Sequence, residues 1–218
     1  VLAGAGGRVR ALVRSPERAT ERLADLNADL AVGDLRDPQY VREAVSDCEA
    51  VIHLAAIAME QHGQSYKAIN TDVTVALLEA AKAAGVSRFL HMSQNGSDSA
   101  SPYAFLRSKG AAQDAVVTSD LQWTVFRPSV IFGPEDSFVN VLARMVRLTP
   151  VVFPVPGGGT ARFQPIHVDD VATAVCSALT RSDTIGNMYP LGGPAALTLR
   201  EMAERILLAM RARRALVG

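Results

Sequence analysis

The hydrophobic pattern alternates between a strand period and a helix period, and this alternation restricts the fold more than any other feature. Arg8 to Arg14 has the β-rich character of a strand. Pro16 to Leu26 has helical spacing, with Ala19, Leu23 and Leu26 on one face and Glu17, Arg18, Glu21 and Arg22 outward. Asp29 to Gly33 is a short strand, and Pro38 to Val45 a helix capped by Asp37 with Pro38 at its first position. Ala50 to Ala56 is a fully apolar strand of the kind found in a parallel sheet covered on both faces. Thr71 to Ala84 is a helix stopped by Gly85, and Arg88 to Ser93 is a strand. Pro102 to Thr118 is a helix with Ser101 as its cap, and Gln122 to Arg127 is a strand stopped by Pro128. Alternation at this spacing implies βαβ units, right-handed crossovers and a doubly wound parallel sheet, an α/β fold of Rossmann type.

After Pro128 the pattern changes. Gly133-Pro134, Pro150, Pro154, Pro156 and Gly157 to Gly159 interrupt short apolar pieces. Phe138 to Leu148 is amphipathic, Phe163 to Val168 a short strand, Asp169 to Thr180 a helix capped by Asp169, and Met188 to Leu191 a strand. Leu197 to Arg211 is a helix with Thr198 as cap and Glu201 completing a capping box. The expected division is a doubly wound domain over 1–128 and a small C-terminal lobe over 129–218, grown from the sheet edge where α/β folds bind ligands.

Composition narrows the classes further. Lys plus Arg and Asp plus Glu both count 22, so no global field points to nucleic acid or to electrostatic membrane attachment. No apolar run reaches the length of a membrane span. Cys48 and Cys176 stand apart without metal spacing and read as reduced, buried thiols of a cytosolic protein. His53, His91 and His167 lie on strands and read as satisfied structural histidines, so no metal site is expected.

Gly4, Gly6 and Gly7 suggest a phosphate-binding loop, but the strand at Arg8 begins at once and leaves no room for the helix that should intervene. Val1 to Gly7 reads better as a helix tail with its glycine stop; the alternative is a true glycine loop with an internal segment missing.

In chain order, a series of short motifs resembles the extended short-chain dehydrogenases. Asp34-Leu35 resembles the adenine-contact pair, His53-Leu54-Ala55-Ala56 the end of the fourth strand, and Asn70-Thr71 the opening of the next helix. Phe89 to Ser93 resembles the strand carrying an active-site hydroxyl, Arg127 to Pro134 the segment passing the nicotinamide, and His167 to Ala172 the late signature. Leu106 to Lys109, Pro128 to Gly133 and Phe163-Gln164-Pro165 are most similar to the atypical branch, which includes the NADPH-binding accessory subunit of respiratory complex I and its bacterial relatives. On this alignment Arg8 to Arg14 is the second strand, and the first strand and phosphate loop are expected to precede Val1. Because that first strand is central in the order 3-2-1-4-5-6, the second and fourth strands should not pair without it.

The resemblance implies a cofactor site and a catalytic set. Arg14, with Ser15 beside it, ends the strand where an arginine suits a 2′-phosphate, favouring NADP over NAD. Asp34, Leu35, Leu54, Ala55, Ala56, Asn70, Lys109, Arg127, Pro128 and Ser129 complete the implied cofactor contacts. The implied catalytic set is Ser93, Tyr103 and Lys109. The residue one turn before Lys109, where the phenol should stand, is Phe105; Tyr103 is six residues back and about 120° away around the helix. The set is therefore degraded. Three functions remain: a tight NADP(H) binder with weak or absent turnover and a protein partner such as a complex I-like assembly, cytoplasmic or held at the inner membrane through that partner; an active NADP-dependent reductase or epimerase on a nucleotide sugar or similar substrate; and a dinucleotide sensor that binds a protein partner.

Overall fold

Among the described residues, two parallel pieces of sheet carry the first half of the chain. The structure, a computed structural model, describes residues 7–218 apart from Ala24, Asn27 and Pro150. The expected helix tail over 1–6 and the outward placement of Arg18 and Arg22 lie outside what is described. Strand β1 (Val9–Val13) leads through helix α1 (Pro16–Leu23) to β2 (Ala28–Val32), and the two strands pair in parallel from Val9 opposite Ala28 to Val13 opposite Val32. Helix α2 (Pro38–Val45) follows; Asp37 Oδ1 accepts from Gln39 N at 2.9 Å, so the expected cap and the proline behind it are both present.

The second piece begins with β3 (Ala50–His53). After a π-helical turn (Lys67–Asp72) come α3 (Val73–Ala83), β4 (Arg88–Met92), α4 (Ala104–Val117) and β5 (Gln122–Pro128). Strands β3, β4 and β5 are parallel neighbours, and β10 (Asn187–Leu191) flanks β5. Among the described residues β1 and β3 share no ladder. Arg10 instead links β1 to the end of α2, donating to Ala44 O at 3.1 Å and Ser46 O at 2.8 Å.

Several boundaries move for local reasons. The strand expected to run to Ala56 stops at His53, because Asn70 captures Ile57 beyond it: Ile57 N donates to Asn70 Oδ1 at 2.8 Å and Asn70 Nδ2 to Ile57 O at 3.2 Å. The helix expected from Pro102 starts at Ala104 with Tyr103 as the cap residue; Ser101 is buried, and its hydroxyl accepts from Tyr103 N at 3.3 Å one step outside the helix. Pro165 supplies no N–H, so the expected strand 163–168 is two short ones, β8 (Arg162–Phe163) and β9 (Ile166–His167). Asp169 lies inside the first turn of α6 (Val168–Thr180) and not at its cap.

The chain forms two compact units. The first takes in the described residues to Arg127 together with Ala172–Tyr189, and the second Pro128–Val171 with Pro190–Gly218. Residues 172–189 were expected in the smaller lobe. They join the first unit because Arg88, buried on β4, donates through Nη2 to Ala178 O and Thr184 Oγ1, each at 2.8 Å, and to Thr124 Oγ1 at 2.6 Å. The core of this unit packs α2, α3 and α4 on the sheet through Val41, Leu77, Ala81, Phe89, Val116 and Val125.

The second unit includes β6 (Ile131–Phe132), α5 (Val139–Leu148), β7 (Val152–Pro154), β11 (Leu197–Thr198), α7 (Leu199–Ala209) and β12 (Ala215–Val217). Its core joins α5, β7 and α7 through Val146, Phe153, Val155, Ala203 and Ile206. The capping box of Thr198 and Glu201 is present. Cys48 and Cys176 are free thiols but half-buried, less enclosed than expected.

Candidate functional site

Lys109 projects from α4 into a dry environment and is 4 % exposed. Its Nζ donates to Met92 O at 2.6 Å, at the end of β4, and burial lowers its pKa to about 8. One turn further along the helix, Gln113 Oε1 accepts from Ser93 Oγ at 3.0 Å. The spacing of four residues puts Lys109 and Gln113 on one face, so both fasten α4 to the carboxyl end of β4. Gly110 permits this approach: a Cβ there would stand 2.2 Å from the main-chain carbon of Asp98.

The expected phenol position is occupied by the Phe105 ring, which meets the Tyr66 ring edge-on with centroids 5.7 Å apart. Tyr66 Oη donates to Ala58 O at 3.0 Å. Tyr103 sits at the helix cap and is 70 % exposed, whereas Lys109 is buried.

A buried polar set surrounds Asn70. Its Nδ2 donates to Ser108 Oγ at 3.1 Å, Ser108 Oγ donates to Phe105 O at 2.7 Å, and Thr71 Oγ1 donates to Ser108 O at 2.9 Å. Asn70 thus orders the loop after β3 and docks it on the turn carrying Phe105 and Lys109. Leu54 and Ala56 are exposed on that loop, and Ala55 is half-buried.

His53 and His91 face each other from β3 and β4, with their Nδ1 atoms 3.2 Å apart. One Nδ1 must donate and the other accept, which fixes opposite tautomers for the pair. Burial pushes His53 down to about 3 and His91 well below its ordinary value, with the Lys109 charge adding to both. Both rings are therefore neutral at pH 7. The Nε2 atoms lack a partner among the described residues, so the expectation of satisfied histidines holds for one nitrogen of each ring only.

Arg14 is exposed at the end of β1, and its charge helps hold down the Asp34 pKa. The main cause is Arg36, whose Nε lies 3.0 Å and Nη2 2.5 Å from Asp34 Oδ2; the Asp34 pKa falls to about 2. Sequence reasoning missed Arg36. Any donor reaching Asp34 meets oxygens already engaged by it. Ser15 Oγ donates to Glu17 Oε2 at 2.8 Å, and Leu35 packs against the hydrophobic core.

Arg127 donates through Nη2 to Ser97 O at 3.2 Å, while its buried Nε and the Ser97 hydroxyl have no partner among the described residues. Pro128 and Ser129 open the second unit. Pro128 is buried; Ser129 N donates to Leu191 O at 2.8 Å, and Ser129 Oγ accepts from Gln164 N at 3.1 Å. Among the described residues no group of three or more metal-ligating side chains occurs.

Parallel strands joined through helices, with charged and polar side chains gathered where those strands end, define a Rossmann-type dinucleotide-binding protein of the short-chain dehydrogenase kind. The model of the NAD(P)H-binding family matches residues 1–182, and the chain belongs to that family. Among similar curated proteins is the mitochondrial NADH dehydrogenase 1 alpha subcomplex subunit 9 of Arabidopsis thaliana, 34% identical over 78% of this chain and 43% of its own length. The rat protein of the same name is 31% identical over 79% of this chain and 46% of its length. A ceramide reductase from Caulobacter vibrioides is 33% identical over 85% of this chain and 57% of its length. The chain thus spans about half the length of these relatives. A dTDP-glucose 4,6-dehydratase from Streptomyces venezuelae, solved with NAD, superposes with a TM-score of 0.81 at 21% identity, over 97% of this chain and 76% of that one. This last likeness is one of fold.

Proposed function

We propose that this protein binds NADP(H) and turns it over weakly or not at all, its binding energy serving a protein assembly. The observation that carries the reading is the pairing of a buried, under-bonded Lys109 ammonium with a phenyl ring at the place of the phenol. An ammonium has three donors, and Lys109 uses one on Met92 O and forms no ion pair among the described residues. Two donors remain for the ribose hydroxyls of a dinucleotide. Arg14, exposed and without a hydrogen-bond partner among the described residues, suits a 2′-phosphate, and the unpartnered Arg127 Nε and Ser97 Oγ are further polar atoms available to a ligand. A nicotinamide dinucleotide supplies hydride chemistry when bound. The chain's own residues hold and orient it, but Phe105 has no proton to give, and lost proton transfer is worth about 10²–10⁴-fold in rate. The relatives named as complex I subunits support a partner of that kind, with the protein cytoplasmic or peripheral to the inner membrane through it.

Affinity for NADPH and NADH, measured by calorimetry on the whole protein, tests the reading. Tight binding that prefers NADPH is expected; no binding to either would overturn it. A second reading, an active reductase or epimerase using Tyr103 or a water in place of the phenol, is favoured by the ceramide reductase relative. Substituting Phe105→Tyr separates the two. A rise in NADPH oxidation across a panel of carbonyl substrates would reveal a latent catalytic scaffold, and an unchanged rate would leave the binding role standing.

A further inference from the structure

The second unit carries an uneven charge that the neutral total conceals. The stretch 137–168 contains Arg144, Arg147 and Arg162, and the stretch 205–218 contains Arg205, Arg211, Arg213 and Arg214; neither contains an acidic residue. The fold brings the two stretches together. The end of α5 and the segment after α7 line a cleft of about 740 Å³ whose walls include Val146, Arg147, Met210, Arg211, Arg213 and Arg214. Arg144, Arg147, Arg211 and Arg213 are exposed and form no ion pair among the described residues. Glu135 and Asp136 line a neighbouring cavity with Arg144 and Arg147, and Asp136 is held in place there: Oδ1 accepts from Phe138 N at 2.8 Å and Oδ2 from Asn140 Nδ2 at 3.0 Å.

Large apolar side chains next to these segments in the chain are exposed. Leu148, next to Arg147, is 76% exposed; Leu208, whose carbonyl accepts from Arg211 N at 3.0 Å, is 79% exposed; Val151, whose carbonyl accepts from Ala215 N, is 70% exposed. Val141, Arg144 and Leu148 share one face of α5 at spacings of three and four. Isolated exposed leucines are ordinary, but leucines interleaved with unpaired arginines are the composition of a surface that enters the headgroup region of a membrane.

We infer that this face of the second unit docks directly on an anionic lipid surface, with Arg144, Arg147, Arg211 and Arg213 on the headgroups and Leu148, Val151 and Leu208 at the acyl boundary. Anionic headgroups complement arginines that form no ion pair among the described residues and outnumber the carboxylates beside them, and the leucines favour lipid over nucleic acid or an acidic protein. The inference does not depend on the dinucleotide reading.

Cosedimentation of the whole protein with vesicles tests it. Phosphatidylcholine vesicles are compared with vesicles in which about a third of the lipid is phosphatidylglycerol, at ionic strength near 0.1 M, where the screening length is about 10 Å. Preferential binding to the anionic vesicles is expected, since each basic residue near such a surface contributes about fivefold in affinity. The double variant Arg147→Glu with Arg213→Glu should lose at least tenfold. Leu148→Ser with Leu208→Ser should lose severalfold while leaving salt sensitivity in place. Dinucleotide affinity, read on the same samples, should not change in either variant. Equal binding to both vesicle types, or none, would overturn the inference. Loss on charge reversal with no effect of the leucine changes would also overturn it, because the face would then recognise negative charge alone and not a lipid surface.

Discussion

The Lys109 ammonium is bonded to the carbonyl oxygen of Met92 at 2.6 Å, one helical turn beyond the phenyl ring of Phe105. A buried cation with a neutral acceptor and no carboxylate is destabilising for the fold alone. Lys109→Met should therefore leave the melting temperature unchanged or raise it, while NADPH affinity falls tenfold or more. Calorimetry and thermal melts on the same variant separate a ligand role from a structural one.

The lowered pKa of Lys109 has a pH signature. The group is charged below about 8 in the folded chain and up to about 10.5 when unfolded. Dinucleotide affinity should decline as the pH rises through 8, because the ammonium becomes an amine. Stability should rise between 8 and 10.5, by up to about 1.4 kcal/mol per pH unit, since over that interval the unfolded chain binds the extra proton. An affinity flat from pH 7 to 10 would remove Lys109 from the site.

Arg14 should govern cofactor choice. Arg14→Ala is expected to weaken NADPH at least tenfold and NADH little, because only NADPH carries a 2′-phosphate. Equal losses for both would mean that the arginine does not contact that phosphate.

The histidine pair should make the protein acid-sensitive. Folded His53 and His91 stay neutral to well below 6.5, whereas unfolded histidines protonate near 6.5. Their stability contribution is thus intact above 6.5 and lost as the pH falls below it, by up to about 1.4 kcal/mol per pH unit for each histidine. Melts between pH 7.5 and 5 check this, and His53→Asn should flatten the slope.

Two packing contacts should be costly to disturb. Gly110→Ala places a methyl against the main chain of Asp98 and Ser99, which is rigid, and should cost about 2 kcal/mol or more. Arg88→Met leaves Thr124, Thr184 and the Ala178 carbonyl without their donor and should cost on the order of 3 kcal/mol. Urea titrations of both variants measure the losses.

Features that depend on neighbours a few residues away were legible in one dimension. The alternation of periods, the Asp37 cap and the Thr198–Glu201 box follow from local spacing and reappear in the structure. The four-residue spacing of Phe105 and Lys109 was likewise visible in one dimension. Features that depend on which distant groups share a dry space emerged only on folding. Arg88 looked like a strand-start residue until it met acceptors 34 to 96 positions away. His53 and His91 looked independent until the register of β3 and β4 set them face to face. The end of β3 was misjudged because Asn70, 13 positions beyond Ile57, holds the chain off the ladder. The zero net charge likewise concealed the arginines of the second unit, because a sum over the chain carries no information about which side chains the fold gathers on one face.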